Sequence, residues 1–248
     1  MMGYKVAVIG AKGRMGSAIC KALETSADLE LVAALDREDS LDKASFNSAE
    51  VVIEFSHPDF SLDHVQAALA AGCDVVVGTS GWKAESTARV KEILKGTQQR
   101  VLVVPNFAIS AVLAMRFAKE AARYFESAEV IELHHPQKAD APSGTAAHTA
   151  QMIAHARREA GLDKCPDATT LDELGCRGGQ VEEVHVHSIR MRGMMASQEA
   201  IFGNEGEVLT IRTDTFDRSC YMPGVLLAAR GISQLPIGIH FGLEMVMG

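Results

Sequence analysis

Lys5-Val6-Ala7-Val8-Ile9-Gly10-Ala11-Lys12-Gly13-Arg14-Met15-Gly16 reads as a short apolar strand that runs through a glycine turn into a helix. In such a turn one glycine permits the sharp reversal and another lets backbone approach a diphosphate, while the helix start offers unpaired N–H groups and partial positive charge. The next apolar run, residues 29–35, ends at Asp36, whose carboxylate can bind the hydroxyls of an adenosine ribose. Arg37 beside it suits a 2′-phosphate, so NADH and NADPH are both admitted as cofactors.

Outward from this unit the pattern repeats. Strands are expected at residues 5–9, 29–35, 51–55, 74–77 and 101–104, each short, Val- or Ile-rich and almost continuously apolar. Helices are expected at 15–25, 60–71 and 83–95, whereas 36–49 is too polar and short for one. This alternation predicts an α/β fold whose N-terminal domain is a doubly wound (Rossmann-like) parallel sheet. Ligands of such sheets lie outside the carboxyl ends of the strands. There, Gly78-Thr79-Ser80 and Val104-Pro105-Asn106-Phe107 suit a nicotinamide ribose and carboxamide.

Beyond residue 105 the pattern changes to a helix at 111–125, a strand at 129–133 and an Ala-rich helix at 145–160 stopped by Gly161. Strands follow at 181–191, 199–202 and 208–215, with Val184 and Val186 alternating against His185 and His187. Alternation of that kind predicts a C-terminal α+β domain with an open mixed sheet, wetter on one face. The tail from 223 onward reads as helical and is expected to pack back on the first domain. The division is therefore 1–105, with 218–248, for a dinucleotide-binding domain, and 106–217 for a second, α+β domain.

Composition narrows the function classes. The 248 residues are 47% hydrophobic and carry a formal net charge of -8, which argues against a nucleic-acid or anionic-membrane binder. No run reaches the roughly 18 apolar residues of a membrane span, and the N-terminus reads directly as a strand without a signal peptide. Cys20, Cys73, Cys165, Cys176 and Cys220 form no C-x-x-C pair, a pattern that suits reduced thiols in the cytoplasm and no metal site.

The densest reactive cluster is Glu132-Leu133-His134-His135-Pro136-Gln137-Lys138-Ala139-Asp140-Ala141-Pro142-Ser143-Gly144-Thr145. A strand delivers two imidazoles into a loop, and Lys138 follows with a countercharge or a proton. Ser143 is read as the cap of the next helix, whose start makes Ser143-Gly144-Thr145 a carboxylate site. Together these groups fit reduction of an unsaturated, anionic small molecule, with a hydride on one carbon and a proton from an imidazolium on its neighbour.

The run E-L-H-H-x-x-K-x-D-A-P-S-G-T-A resembles the signature of the 4-hydroxy-tetrahydrodipicolinate (dihydrodipicolinate) reductase family. So do V-x-G-A-x-G-R-M-G at the start, G-T-S-G, P-N-F-A, and D-R-x-x-x-M-P-G-V-L-L-A from Asp217 onward. The resemblance implies a cytoplasmic homotetrameric enzyme of diaminopimelate and lysine biosynthesis that uses NADH or NADPH on a dicarboxylate. It assigns substrate binding and tetramerisation to the second domain, 106–217. It implies that His134 donates a proton, Lys138 is a second proton donor, and His135, Gly144 and Thr145 touch substrate carboxylates. It places cofactor contacts at Gly10, Ala11, Lys12, Gly13, Arg14, Met15, Asp36, Gly78, Thr79, Ser80 and residues 104–107. The chain departs from many members at Ser110, where they carry Gly, and across Ala196-Ser197-Gln198-Glu199, where they carry a His. Two other readings share parts of the pattern. An aspartate-type amino-acid dehydrogenase shares the first domain, and a non-catalytic regulator would sense the dinucleotide without turnover.

Overall fold

The computed structural model describes residues 3–248. In chain order its elements are β1 (Tyr4–Ile9), α1 (Arg14–Glu24), β2 (Leu29–Leu35), β3 (Val51–Glu54), α2 (Pro58–Ala71), β4 (Asp74–Val77), α3 (Ala84–Ile93) and β5 (Arg100–Val103). There follow α4 (Ile109–Ala121), β6 (Ser127–His134), α5 (Gly144–Glu159), β7 (Gly179–Val181), β8 (Val184–Arg190), β9 (Ala196–Asn204), β10 (Glu207–Thr215), α6 (Met222–Gly231) and β11 (Gly238–Phe241). Two compact units result, one ending at Ile109 and taking in Arg218–Gly248, the other Ser110–Asp217. The first unit runs past residue 105 because Phe107 is built into it. The Phe107 ring packs on Phe55 at a centroid distance of 5.3 Å, and its carbonyl oxygen lies 2.0 Å from where a Cβ on Gly224 would sit.

The first unit holds a sheet of order β11-β5-β4-β3-β1-β2, parallel throughout. Its central strands are covered on both faces, which is why they read as unbroken apolar runs: Val6, Val8, Val51, Val52, Ile53, Val75, Val76 and Leu102 are all buried. The chain places β2 on one side of β1 and then crosses to β3 on the other. The carboxyl ends of β1 and β3 therefore flank the switch point at which open sheets of this kind take ligands. The tail departs from expectation: α6 is helical, but Gly238–Phe241 is a strand that extends the sheet beside β5. These residues have no periodicity of their own and become a strand because β5 would otherwise present an unpaired edge.

The second unit is a mixed sheet of order β10-β9-β6-β8-β7, with β6 parallel to β8 and the other pairs antiparallel. Ala118 of α4 and Ala122 just after it, with Ala146, Ala150, Ile153 and Ala154 of α5, close one face over Val130, Val184, Val186, Ala200 and Phe202. The single strand expected at 181–191 is instead a hairpin of β7 and β8. Glu182 takes a φ of 58° and turns the chain between them.

Candidate active site

In the first unit, β1 stops at Ile9 and Gly10 takes a φ of +83°, with a notional Cβ only 2.2 Å from the Phe55 carbonyl oxygen. A Cβ on Gly16 would come within 2.0 Å of the Gly10 carbonyl oxygen, so turn and helix approach as closely as glycine allows. Gly13 caps α1 in extended conformation without a side-chain hydrogen bond. The first-turn N–H groups of Arg14, Met15 and Gly16 are thereby left without intrahelical acceptors. Asp36 accepts from the backbone N–H of Arg37 at 2.8 Å and of Lys12 at 2.7 Å. These bonds hold its carboxyl below the usual range and keep it an anion.

Gly10, Gly13, Asp36 and Arg37 line one cleft of about 670 Å³. Phe55, Ser56, His57, Phe60 and His64 line it too, and none of them was anticipated from sequence. The signal existed, since Ser56-His57 follows the strand neighbouring β1 at the switch point. Ala11 and Lys12 lie in the turn itself, where the Lys12 ammonium is 3.7 Å from Glu38. Gly78-Thr79-Ser80 and residues 104–107 occupy the carboxyl ends of β4 and β5, outside the lining of this cleft. There Val104 N–H donates to the Val77 carbonyl at 2.9 Å and Asn106 Oδ1 accepts from Ala108 N–H at 2.9 Å. A glycine turn, free helix N–H groups and an ionised carboxylate beside them fit a pyridine dinucleotide.

In the second unit, strand alternation turns Glu132 and His134 to the same face of β6. Glu132 is fully buried and joins the site together. Its Oε2 meets His134 Nδ1 in a short hydrogen bond and accepts from Arg190 Nη1 at 2.9 Å. Its Oε1 accepts from Arg190 Nη2 at 2.7 Å and from the Ser143 backbone N–H at 3.2 Å. Burial pushes the Glu132 carboxyl up, but hydrogen bonds from Arg190, Ser188 and His134 outweigh it and hold it below the ordinary value. Burial also pushes His134 down. The bond and charge of Glu132 pull it up, Lys138 and Arg190 push it down again, and the balance lies below ordinary histidine. With Nδ1 engaged by the carboxylate, Nε2 is the nitrogen available for proton transfer.

Lys138 folds back within its loop. Its N–H donates to the His135 carbonyl at 3.1 Å and its ammonium to Asp140 Oδ1 at 2.6 Å. That bond holds the Asp140 carboxyl low, and an ammonium keeps further donors for a ligand. Ser143 caps α5, its Oγ accepting from Ala146 N–H at 3.1 Å. Gly144 and Thr145 form the first turn, and a Cβ on Gly144 would meet only open space. His135 is exposed at the start of the loop. The structure thus brings His134 and Ser143 onto Glu132, with the Lys138 charge acting on His134. It adds Arg190, which also donates to the Asp140 carbonyl at 2.7 Å and was missed from sequence. Both family departures are absorbed by hydrogen bonds: Ser110 Oγ lies 2.8 Å from Thr213 Oγ1, and Gln198 Nε2 donates to Thr149 Oγ1 at 2.9 Å.

Comparison with known proteins agrees across the chain. The family model described as dihydrodipicolinate reductase, N-terminus, matches residues 4–107, and that for the C-terminus matches 110–247. A 4-hydroxy-tetrahydrodipicolinate reductase of Bifidobacterium longum subsp. infantis is 53% identical over 245 residues, 97% of each chain. One from Corynebacterium aurimucosum is 51% identical over 248 residues, 100% of each. The solved dipicolinate-bound dihydrodipicolinate reductase from Paenisporosarcina sp. TG-14 superposes with a TM-score of 0.87 at 32% identity, covering 99% of this chain and 100% of the other. An amine dehydrogenase from Mycobacterium smegmatis, at 11% identity and a TM-score of 0.61 over 95% of this chain and 94% of its own, shares the fold alone. From both halves of its sequence and from its fold, the chain belongs to the dihydrodipicolinate reductase family.

Proposed function

We propose that this chain reduces 4-hydroxy-tetrahydrodipicolinate to tetrahydrodipicolinate with NADH or NADPH, a step of diaminopimelate and lysine biosynthesis. The observation that carries this reading is the joining of an imidazole, a guanidinium and a helix start at one buried carboxylate, Glu132. Relatives named for the reaction support it, and the similar solved structure holds dipicolinate, a dicarboxylate.

The Lys138 ammonium, His135 and the first-turn N–H groups of Gly144 and Thr145 hold the substrate's two carboxylates, as helix starts hold anions generally. The 4-hydroxyl and a hydrogen of the neighbouring ring carbon leave together as water, forming the unsaturated ring that a hydride and a proton then reduce. A reduced nicotinamide, when bound, would supply the hydride that C4 accepts. His134, protonated on Nε2, gives its proton to the adjacent ring atom and becomes neutral, while Glu132 fixes the ring through Nδ1. Lys138 stands as a second proton source. Residues 10–16, Asp36 and Arg37 would hold the cofactor, and residues 78–80 and 104–107 would serve its nicotinamide ribose and carboxamide.

The decisive test supplies the condensation product of pyruvate and aspartate semialdehyde and follows absorbance with NADH and NADPH separately. Loss is expected with at least one cofactor, and none with either sinks the reading. Aspartate oxidation, or dinucleotide binding without turnover, would instead favour the dehydrogenase or the regulator. On this reading the enzyme works in the cytoplasm, as a biosynthetic reductase of this kind would. No helix among the described residues is long and apolar enough to cross a membrane. It is expected to form a homotetramer through the second unit, where β10 exposes Val208 and Leu209. Equilibrium sedimentation showing a stable monomer would refute that assembly.

A further inference from the structure

A carboxylate lies where the first sheet has every reason to be apolar. Glu54 ends the run Val51-Val52-Ile53, pairs in register with Ile9 of β1 and Val77 of β4, and is fully buried. Burying an ion there is costly unless each oxygen is satisfied. Glu54 Oε1 accepts from the Ser56 backbone N–H at 3.0 Å and, in a shorter bond, from Ser56 Oγ, with His64 Nδ1 at 3.4 Å. Oε2 accepts from Ser61 Oγ at 2.6 Å. Ser61 in turn accepts from Trp82 Nε1 at 3.2 Å, and Thr79 Oγ1 accepts from the Ser56 N–H at 2.9 Å. Burial pushes the carboxyl up, but bonds from His64, Ser56, Ser61 and Thr79 outweigh it and hold it ionised.

These partners come from separate stretches: the loop after β3, the first turns of α2, and the loop after β4. Ser56 and His64 also line the cleft with Gly10 and Gly13. Between them, Phe55 presses its carbonyl on Gly10, and its ring occupies the space a Cβ on Gly78 would need, at 2.1 Å. A shift of the Phe55-Ser56 backbone would therefore displace the glycine turn. The cluster is no serine nucleophile. Ser56 Oγ and Glu54 both address Nδ1 of His64, at 2.8 and 3.4 Å, so the imidazole does not stand between hydroxyl and acid.

We propose that Glu54 is a positioning residue for the pyridine nucleotide, clamping the loops after β3 and β4 to α2 so that the wall facing the glycine turn is preformed. This rests on the nicotinamide-dependent reading above and assigns Glu54 no contact with substrate. Preorganised walls act on affinity by removing the ordering cost of binding, so the effect belongs in cofactor binding.

The test measures NADH affinity by fluorescence titration, with steady-state kinetics, in wild type, Glu54→Gln and Ser61→Ala. Glu54→Gln, which keeps the shape and removes the charge, is expected to raise both the Kd and the KM for NADH about tenfold or more. Its kcat at saturating NADH and its KM for the dicarboxylate should stay within about threefold of wild type. Ser61→Ala, which removes one leg of the clamp, should move the NADH Kd the same way by less. A folded Glu54→Gln protein whose NADH Kd stays within about twofold of wild type overturns the proposal. So does a fall in kcat alone, the mark of a merely structural role that lowers the active fraction. Where Glu54→Gln does not fold, Ser61→Ala decides, and an unchanged NADH Kd there overturns it. Failure of wild type to bind NADH or turn over would instead count against the reductase reading.

Discussion

His134→Gln is expected to lower kcat by about 10²- to 10⁴-fold, the usual worth of a positioned general acid, while leaving the KM for substrate and for NADH within a few-fold. Glutamine can still hydrogen-bond Glu132 but carries no titrating proton, so the loss isolates the proton transfer. The wild-type pH profile carries the matching signature. The acid form of His134 is required and is lost as pH rises, and its free-enzyme value lies below ordinary histidine. The alkaline limb of kcat/KM, which reports the free enzyme, should therefore fall at a lower pH than an ordinary histidine would give. A bound dianion offsets the Lys138 and Arg190 charges that depress the imidazole, so the limb of kcat should lie at higher pH than that of kcat/KM. Unchanged turnover in His134→Gln, or coincident limbs lying well above neutrality, would remove His134 from the role.

What was legible in the sequence follows physical lines. The parallel sheet was readable because burial on both faces writes continuous apolar runs such as Val51-Val52-Ile53. β11 was not, because Gly238-Ile239-His240-Phe241 is a strand only through its pairing with the β5 edge. His134, Lys138 and Ser143 were readable because strand end, loop and helix start are contiguous. Arg190 was invisible because it reaches Glu132 only through the parallel register of β6 with β8, which sets His134 opposite Arg190. Glu54 shows the same limit in another form. An acid closing an apolar strand looks like the strand's solvent end, until Ser61 and His64 of α2 fold over it. The family resemblance carried roles along the chain, but the supporting carboxylates beneath those roles became visible only in three dimensions.

Glu132→Gln should disturb both the chemistry and the stability of the second unit. Its carboxylate supplies the bond and charge that raise His134, while burial, Lys138 and Arg190 push the imidazole down. Removing the charge leaves only the depressing influences. The alkaline limb of kcat/KM is therefore expected to move to lower pH, with about a tenfold loss at neutral pH for each pH unit of displacement and partial recovery on acidification. Arg190 meanwhile loses its ionised partner, at a cost of roughly 1.5–3 kcal/mol for a hydrogen bond to a charged group. The pH dependence of that cost has a definite sign. The folded-state value of Glu132 is depressed, so its stabilisation is fully present above the ordinary carboxylate range and is lost as pH falls through the folded value. The gap in Tm between wild type and Glu132→Gln should therefore be widest near neutrality and close toward strongly acid pH. The measurements are a pH–rate series and calorimetric melting across the same buffers. An alkaline limb identical to wild type would show that Glu132 does not govern the charge of His134. A Tm gap that persists undiminished in strong acid would show that what is lost is packing and not an ionised carboxylate.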